Sequence, residues 1–176
     1  MDQFKQLVNE AKNGNKEAFK EIFEGLNKRL FSYAFSRTLN RDDALDIVQE
    51  TFIELWDSLE KFKYRSNEEF QGFVFTLAKR KLFRFYNTKD KTVPLDEKII
   101  DGAGGYEMEI DNHQYLFNQI NSLSPNYQDV LRLRYWSGMT FSEIASFLRV
   151  KETTAKVWHH RAIQKLKILL ANYETI

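Results

Sequence analysis

Thr140-Phe-Ser-Glu-Ile-Ala-Ser-Phe-Leu148, then Arg149-Val-Lys151, then Glu152-Thr-Thr-Ala-Lys-Val-Trp-His-His-Arg-Ala-Ile-Gln-Lys-Leu-Lys167 decide the reading of this chain. A short amphipathic helix, a tight turn and a longer basic helix spell a helix-turn-helix, whose second helix enters the major groove of DNA. Thr140 is placed to cap the first helix, and Glu143 three residues on completes a capping box. Ile144, Ala145 and Leu148 are expected to face inward, with Val150 filling the turn. On the second helix Lys156, Val157, His160 and Arg161 are expected to point outward. Basic side chains there supply phosphate affinity, and Thr153 or Val157 is short enough to touch a thymine methyl.

Upstream lies Asp42-Asp-Ala-Leu-Asp-Ile-Val-Gln-Glu-Thr-Phe-Ile-Glu-Leu-Trp56, a dense acidic and apolar helix that a simple DNA-binding repressor does not need. The whole chain has a net charge of only +1. The charge is segregated, however. Acids crowd residues 42–60 and 96–111, and bases crowd residues 61–91 and 149–167. Such segregation suits a chain that holds nucleic acid on one face and a basic protein on another.

Phe70-Gln-Gly-Phe-Val-Phe-Thr-Leu-Ala-Lys-Arg-Lys-Leu-Phe-Arg-Phe-Tyr86 interleaves aromatics with bases, a combination suited to single-stranded DNA. Phe70, Phe73, Val74, Leu77 and Ala78 recur at helical spacing and read as core. Lys79, Arg80, Lys81 and Arg84 remain as one basic face.

Helical periodicity covers most of the rest. Phe4, Leu7, Val8 and Ala11 mark a first helix that Asn13-Gly-Asn15 breaks. Asn15 caps a second helix to about Leu39, and Asn40 caps a third to about Leu59. A basic and aromatic loop, residues 60–66, precedes a fourth helix over residues 67–86. Residues 88–110 hold Val93-Pro94 and Gly102-Ala-Gly-Gly105 without apolar period, and read as a flexible linker. A helix over residues 112–120 follows. Ser124-Pro125 then starts a helix that ends near Trp136, with Gly138 as its C-terminal cap.

With 7 Gly and 2 Pro in 176 residues, the chain favours uninterrupted helices. The fold class is all-α: two small helical domains, residues 1–87 and 111–176, joined by the linker. No Cys is present, which excludes disulfides and thiolate metal sites. His113, His159 and His160 are too few and too divergent for a metal centre, and no cofactor is expected. No nucleophile elbow, carboxylate pair or phosphate-cradling Gly loop appears, so an enzyme is not expected. No apolar run reaches membrane-spanning length and no signal peptide opens the chain, so a cytoplasmic protein is expected.

In their order and spacing, residues 43–56, residues 70–79, Leu123-Ser-Pro125 and residues 140–161 resemble the extracytoplasmic-function (ECF) sigma factors of bacterial RNA polymerase. The resemblance implies a region 2 domain in residues 1–87, which binds the polymerase clamp coiled coil and the −10 element. It implies a region 4 domain in residues 111–176, which binds the polymerase flap and the −35 element. Asp46, Gln49, Glu50 and Glu54 then lie where the family docks on the clamp. Lys61, Phe62, Lys63, Tyr64, Arg65 and Asn67 match the loop that receives a flipped −10 base. Phe62, Tyr64 and Asn67 would form its pocket, with Lys79, Arg80, Lys81 and Arg84 on the strand beside it. Lys151, Thr153, Thr154, Lys156, Val157, His160 and Arg161 would read the −35 element. Core polymerase, promoter DNA and an anti-sigma factor are the implied partners, and the acidic linker would thread the path shaped for RNA.

The chain departs from the family in four places. Arg80 and Arg84 stand where Asn and Asp are common. Arg149 stands where the turn often holds Gly; a left-handed Arg costs roughly 1 kcal/mol, which predicts a rearranged turn. His159 takes an aliphatic core position, with Trp158 expected to pack in its stead. The competing readings are a stand-alone helix-turn-helix regulator, which binds operator DNA without polymerase, and an interaction protein whose acidic helix binds a basic partner.

Overall fold

The computed structural model describes residues 3–89 and 110–171, which form eight helices and, among the described residues, no strand. The N-terminal lobe holds α1 (Gln3–Lys12), α2 (Lys16–Thr38), α3 (Arg41–Leu59) and α4 (Asn67–Lys89). The C-terminal lobe holds α5 (Ile110–Asn121), α6 (Pro125–Tyr135), α7 (Phe141–Leu148) and α8 (Glu152–Ala171). The linker expected over residues 88–110 falls largely outside the described residues, with its prolyl, glycyl and acidic stretches. Helix α4 runs on past Tyr86 to Lys89, with no helix-breaking residue to interrupt it.

Local chemistry sets the helix starts. The Asn15 side chain accepts from the backbone N–H of Glu17 and Ala18, at 3.0 and 3.2 Å. Asn40 accepts from Asp43 N–H at 3.0 Å, and Ser66 Oγ accepts from Glu69 N–H at 3.1 Å. The capping box closes as expected: Glu143 N–H donates to Thr140 Oγ1 at 3.2 Å, and Thr140 N–H donates to Glu143 Oε2 at 2.8 Å. Each cap satisfies backbone donors that the first helical turn leaves without partners. Ser124 precedes α6 but makes no side-chain cap bond; Pro125, with no N–H and a preset φ, starts that helix. Gly138 adopts φ 62° just beyond α6, the left-handed conformation that ends helices.

Val8, Ile22, Leu26, Leu30, Ile47, Val48, Leu55, Phe70, Val74 and Leu77 fill the N-terminal lobe. Phe73, expected inside, is only half-buried and takes another role described below. In the C-terminal lobe Ile120, Leu123, Leu131 and Ala162 form a small core, with Leu116, Trp136, Leu166 and Leu169 packed around it. Val130, Leu133, Met139, Ile144, Ala145, Phe147 and Ala155 of this lobe are continuous with the N-terminal core. The two lobes are therefore packed on one another, chiefly where α7 lies along α4.

The helix-turn-helix keeps its ordinary turn. Arg149 adopts φ 56° and ψ 45°, a left-handed cap, and its N–H and that of Val150 close onto carbonyls of α7. The expected rearrangement does not occur, because those closing bonds and the half-buried Val150 hold the conformation despite its cost. Trp158 packs on the main core as expected. Replacing Arg149 by Gly should remove a steric cost of about 1 kcal/mol and raise the midpoint of thermal unfolding by several degrees. Calorimetry of the two full-length chains checks this; an unchanged or lower midpoint would mean that the turn is unstrained.

Candidate polymerase and nucleic-acid interfaces

The α3 helix turns Ala44, Ile47, Val48, Thr51, Phe52 and Leu55 inward. That period leaves Asp46, Gln49 and Glu50 exposed beside Leu45 and Ile53, an acidic face with apolar side chains set into it. Glu54 does not stand with them. It reaches across to α4, 2.7 Å from both Arg80 and Lys81. The Lys81 hydrogen bond, aided by the charges of Arg80 and Arg84, holds its carboxyl below the usual carboxylate range. Lys81 lies a further 3.9 Å from Glu50.

The loop over residues 60–66 is braced by stacked rings. Phe62 lies on Phe73 with centroids 4.7 Å apart at 24°, and meets Phe70 edge-on at 5.6 Å. Lys12 donates to the Phe62 carbonyl and pins the loop to α1. Beside this stack opens a cleft of about 470 Å³, lined by Phe62, Phe73, Lys61, Lys63, Arg65, Asp57, Ser58 and Glu69. Tyr64 instead packs toward Phe70 at 6.0 Å, and Asn67 accepts from Gln71 Nε2 at 3.3 Å, so neither lines the cleft. Phe73, Asp57, Ser58 and Glu69 were not anticipated here. Phe73 matched the core period, and only its pairing with Phe62 across the loop reveals its second face.

The expected basic face of α4 divides. Arg80 and Lys81 turn to α3. Lys79 turns to the other lobe, 2.5 Å from Asp129. Arg84 is exposed, and next to it Phe83 is 67% exposed, an outward aromatic that the core reading passed over.

Lys151, just before α8, and Thr153, Lys156, Val157, His160 and Arg161 on α8 are exposed, while Thr154 is half-buried. Lys156 pairs with Glu152 at 2.7 Å, one turn earlier. His159 lies edge-on to Phe141 at 5.2 Å, and its Nε2 is 3.0 Å from Tyr135 Oη. Its ring is thus held by an edge-on aromatic contact and a hydrogen bond.

A polar network joins the lobes. Asp129, on α6 and fully buried, accepts from Tyr33 Oη at 3.2 Å, from Arg37 and from Lys79. Arg29 donates to Glu143 at 2.9 Å, to the Ser137 carbonyl at 2.8 Å and to Gln71. Arg132, also buried, donates to the Ser36 carbonyl at 3.2 Å and to Asn121 at 2.6 Å. Burial pushes the Tyr33 phenol up, and pushes the Arg132 guanidinium down to about 10. No sequence signal marked Asp129 or Glu143 as interior, since lone acids on amphipathic helices ordinarily face water.

Family comparison accounts for both lobes. Sigma-70 region 2 matches residues 22–92, and Sigma-70 region 4 matches residues 113–166. The chain belongs to the sigma-70 family, among its ECF sigma factors. It is an alternative sigma factor for transcription initiation. It is 27% identical over 144 residues to the RNA polymerase sigma factor SigV of Bacillus subtilis, covering 80% of this chain and 83% of that protein. It is 23% identical over 173 residues to the ECF RNA polymerase sigma factor BldN of Streptomyces coelicolor, covering 94% of this chain and 65% of BldN. Among solved structures, CnrH in complex with the cytosolic domain of CnrY superposes with a TM-score of 0.74 at 22% identity, over 97% of this chain and 99% of CnrH. The sigma factor RpoE from Bartonella quintana, in complex with the anti-sigma factor NepR, gives a TM-score of 0.63 at 22% identity, over 87% of this chain and 96% of RpoE. No helix among the described residues is long and apolar enough to cross a membrane.

The His159 contacts carry a pH consequence. Burial, followed by the charges of Arg134 and His160, holds its imidazole below the ordinary 6.5. The unfolded chain therefore takes up the proton first on acidification. Stability is complete above 6.5 and declines as pH falls from there toward the folded value. Replacing His159 by Leu should flatten this slope, as read from unfolding midpoints across the imidazole range. Equal slopes in the two chains would mean that His159 does not supply it.

Proposed function

We infer that the two lobes divide the work of promoter recognition. The N-terminal lobe docks on the clamp coiled coil of core polymerase through Asp46, Gln49 and Glu50, with Leu45 and Ile53 adding apolar contact. The observation that carries this is the exposed acidic and apolar face of α3, inside the region 2 match. Glu54 supports the face indirectly, by holding Arg80 and Lys81.

The cleft beside Phe62 and Phe73 receives one unpaired base of the −10 element. An aromatic wall supports a flat base, and Lys61, Lys63 and Arg65 sit where phosphates would pass. Arg80, Lys81 and Arg84 lie along the next stretch of strand. The C-terminal lobe meets the polymerase flap and reads the −35 duplex through Lys151, Thr153, Lys156, Val157, His160 and Arg161, with Thr154 set deeper. The protein works in the cytoplasm and catalyses no reaction of its own. An anti-sigma factor is a further partner, as for the CnrH and RpoE structures with their CnrY and NepR partners.

Run-off transcription with purified core polymerase on genomic promoter fragments tests this reading. The full chain should direct discrete transcripts, whereas a stand-alone regulator would bind DNA without starting any. Replacing Glu50 by Lys places a base on the docking face and should weaken binding to core polymerase by about tenfold. Affinity for −35 duplex should stay the same. Equal polymerase binding by both chains would remove Glu50 from the docking face.

A further inference from the structure

Phe62 is held at three points, each by a different helix. Its N–H donates to the Ser58 and Leu59 carbonyls, at 3.1 and 3.0 Å, and so closes the end of α3. Its ring meets Phe70 and Phe73, both on α4. Its carbonyl accepts from the Lys12 ammonium, 50 residues upstream on α1. The first two anchors come from the helices that the loop connects. The third does not, and α1 lies outside the Sigma-70 region 2 match, which begins at residue 22.

Helix α1 is built to keep that ammonium in place. Val8 and Ala11 are buried and seat the helix on the lobe. Phe4, near its start, rests against Gly25 of α2, with Cζ 3.4 Å from the point where a Cβ would stand. The same ring lies 6.0 Å from Phe70, which in turn meets Phe62. Helix α1 thus reaches the loop twice, by a chain of rings and by the bond to the Phe62 carbonyl. Gly14, with φ 85°, ends α1 just after Lys12. Lys12 therefore stands in the last helical turn, where the carbonyl end of a helix favours a cation. It is half-buried, and a charge-assisted hydrogen bond sheltered from water is among the stronger that a side chain makes.

Residues 62–66 belong to neither α3 nor α4. An unbraced loop would be ordered only as a base is captured, and that entropic cost would be subtracted from binding. We propose that α1 braces the base-receiving cleft, with Lys12 as its positioning residue: the ammonium fixes the Phe62 carbonyl, so that the aromatic wall of Phe62 and Phe73 is assembled before any base arrives. Lys12 does not line the cleft and acts through Phe62. The proposal rests on the assignment of that cleft to an unpaired base, given above.

Three variants test the brace. Lys12→Met keeps the apolar stem and loses the donor, whereas Lys12→Arg keeps a charged donor. Lys20→Met removes an exposed positive charge from α2 and leaves the brace intact. In the free chain, hydrogen exchange at the Lys61 and Phe62 amides should quicken about tenfold in Lys12→Met, with the amides of α2 unchanged. The other two variants should exchange at the parental rate. Each chain is then reconstituted with core polymerase and assayed by run-off transcription on one promoter, with all four bases placed in turn at every −10 position. The Lys12→Met holoenzyme should lose about tenfold of its preference for the best base over the worst at the position that the cleft reads. Its affinity for core polymerase and for −35 duplex should stay that of the parent.

Parental exchange at Lys61 and Phe62 in Lys12→Met, faster exchange with the base preference intact, or an equal loss of preference in Lys20→Met would each overturn the brace. Absence of transcripts from the wild-type holoenzyme would remove the sigma-factor reading instead, and the exchange rates would still decide whether α1 holds the loop.

Discussion

Asp129 is fully buried, and a buried carboxylate is tolerable only when its oxygens are engaged. Its donors Tyr33, Arg37 and Lys79 all come from the other lobe. The position of α6 is therefore tied to the middle of α2 and to one residue of α4. With α6 so placed, α7 lies along α4, where the Ser146-Phe147 backbone approaches Gly72 too closely to leave room for a Cβ. A buried ion pair contributes little net stability, because separating the partners returns each charge to water. Its strength lies in geometry: partial displacement leaves a desolvated charge unmatched.

Helix α7 is the part that makes this possible. An ordinary first helix of a helix-turn-helix buries one face, here Ile144 and Ala145, against its own domain. This one also buries Phe147 against Tyr33, and it sends Glu143 to Arg29. Glu143 serves two ends at once, since the same carboxylate completes the capping box with Thr140. Helix initiation and lobe docking thus share a side chain.

The local features were legible in the sequence because their causes are local. Asn15, Asn40 and Thr140 cap where their types and spacing indicate, and Gly138 ends α6 with positive φ. The period of α3 separated its buried stripe from its acidic face for the same reason. What the sequence could not show depends on residues far apart. Arg149 holds a left-handed turn that its type disfavours, because neighbouring hydrogen bonds and packing fix it. Phe73 matched the core period but stacks on Phe62 at the cleft. The charge blocks of residues 42–60 and 61–91 read as two opposed surfaces. They turn out to neutralise one another in part, through Glu54 with Arg80 and Lys81.

That partial neutralisation constrains how the N-terminal lobe can discriminate its partners. A carboxylate face and a basic face on adjacent helices of one lobe would otherwise attract nucleic acid and protein indiscriminately. Glu54 draws Arg80 and Lys81 toward the α3–α4 seam, and Asp129 draws Lys79 toward α6, so the bases nearest the exposed acids of α3 are already partnered. Asp46, Gln49 and Glu50 are left to project from α3 at the surface. Lys61, Lys63 and Arg65, beyond the end of α3, keep their exposure around the cleft. The exposed charge of the lobe is thus sorted in part by position, acid along α3 and base beyond its end, where Asp57 and Glu69 share the cleft and Arg65 lies 3.7 Å from Glu69.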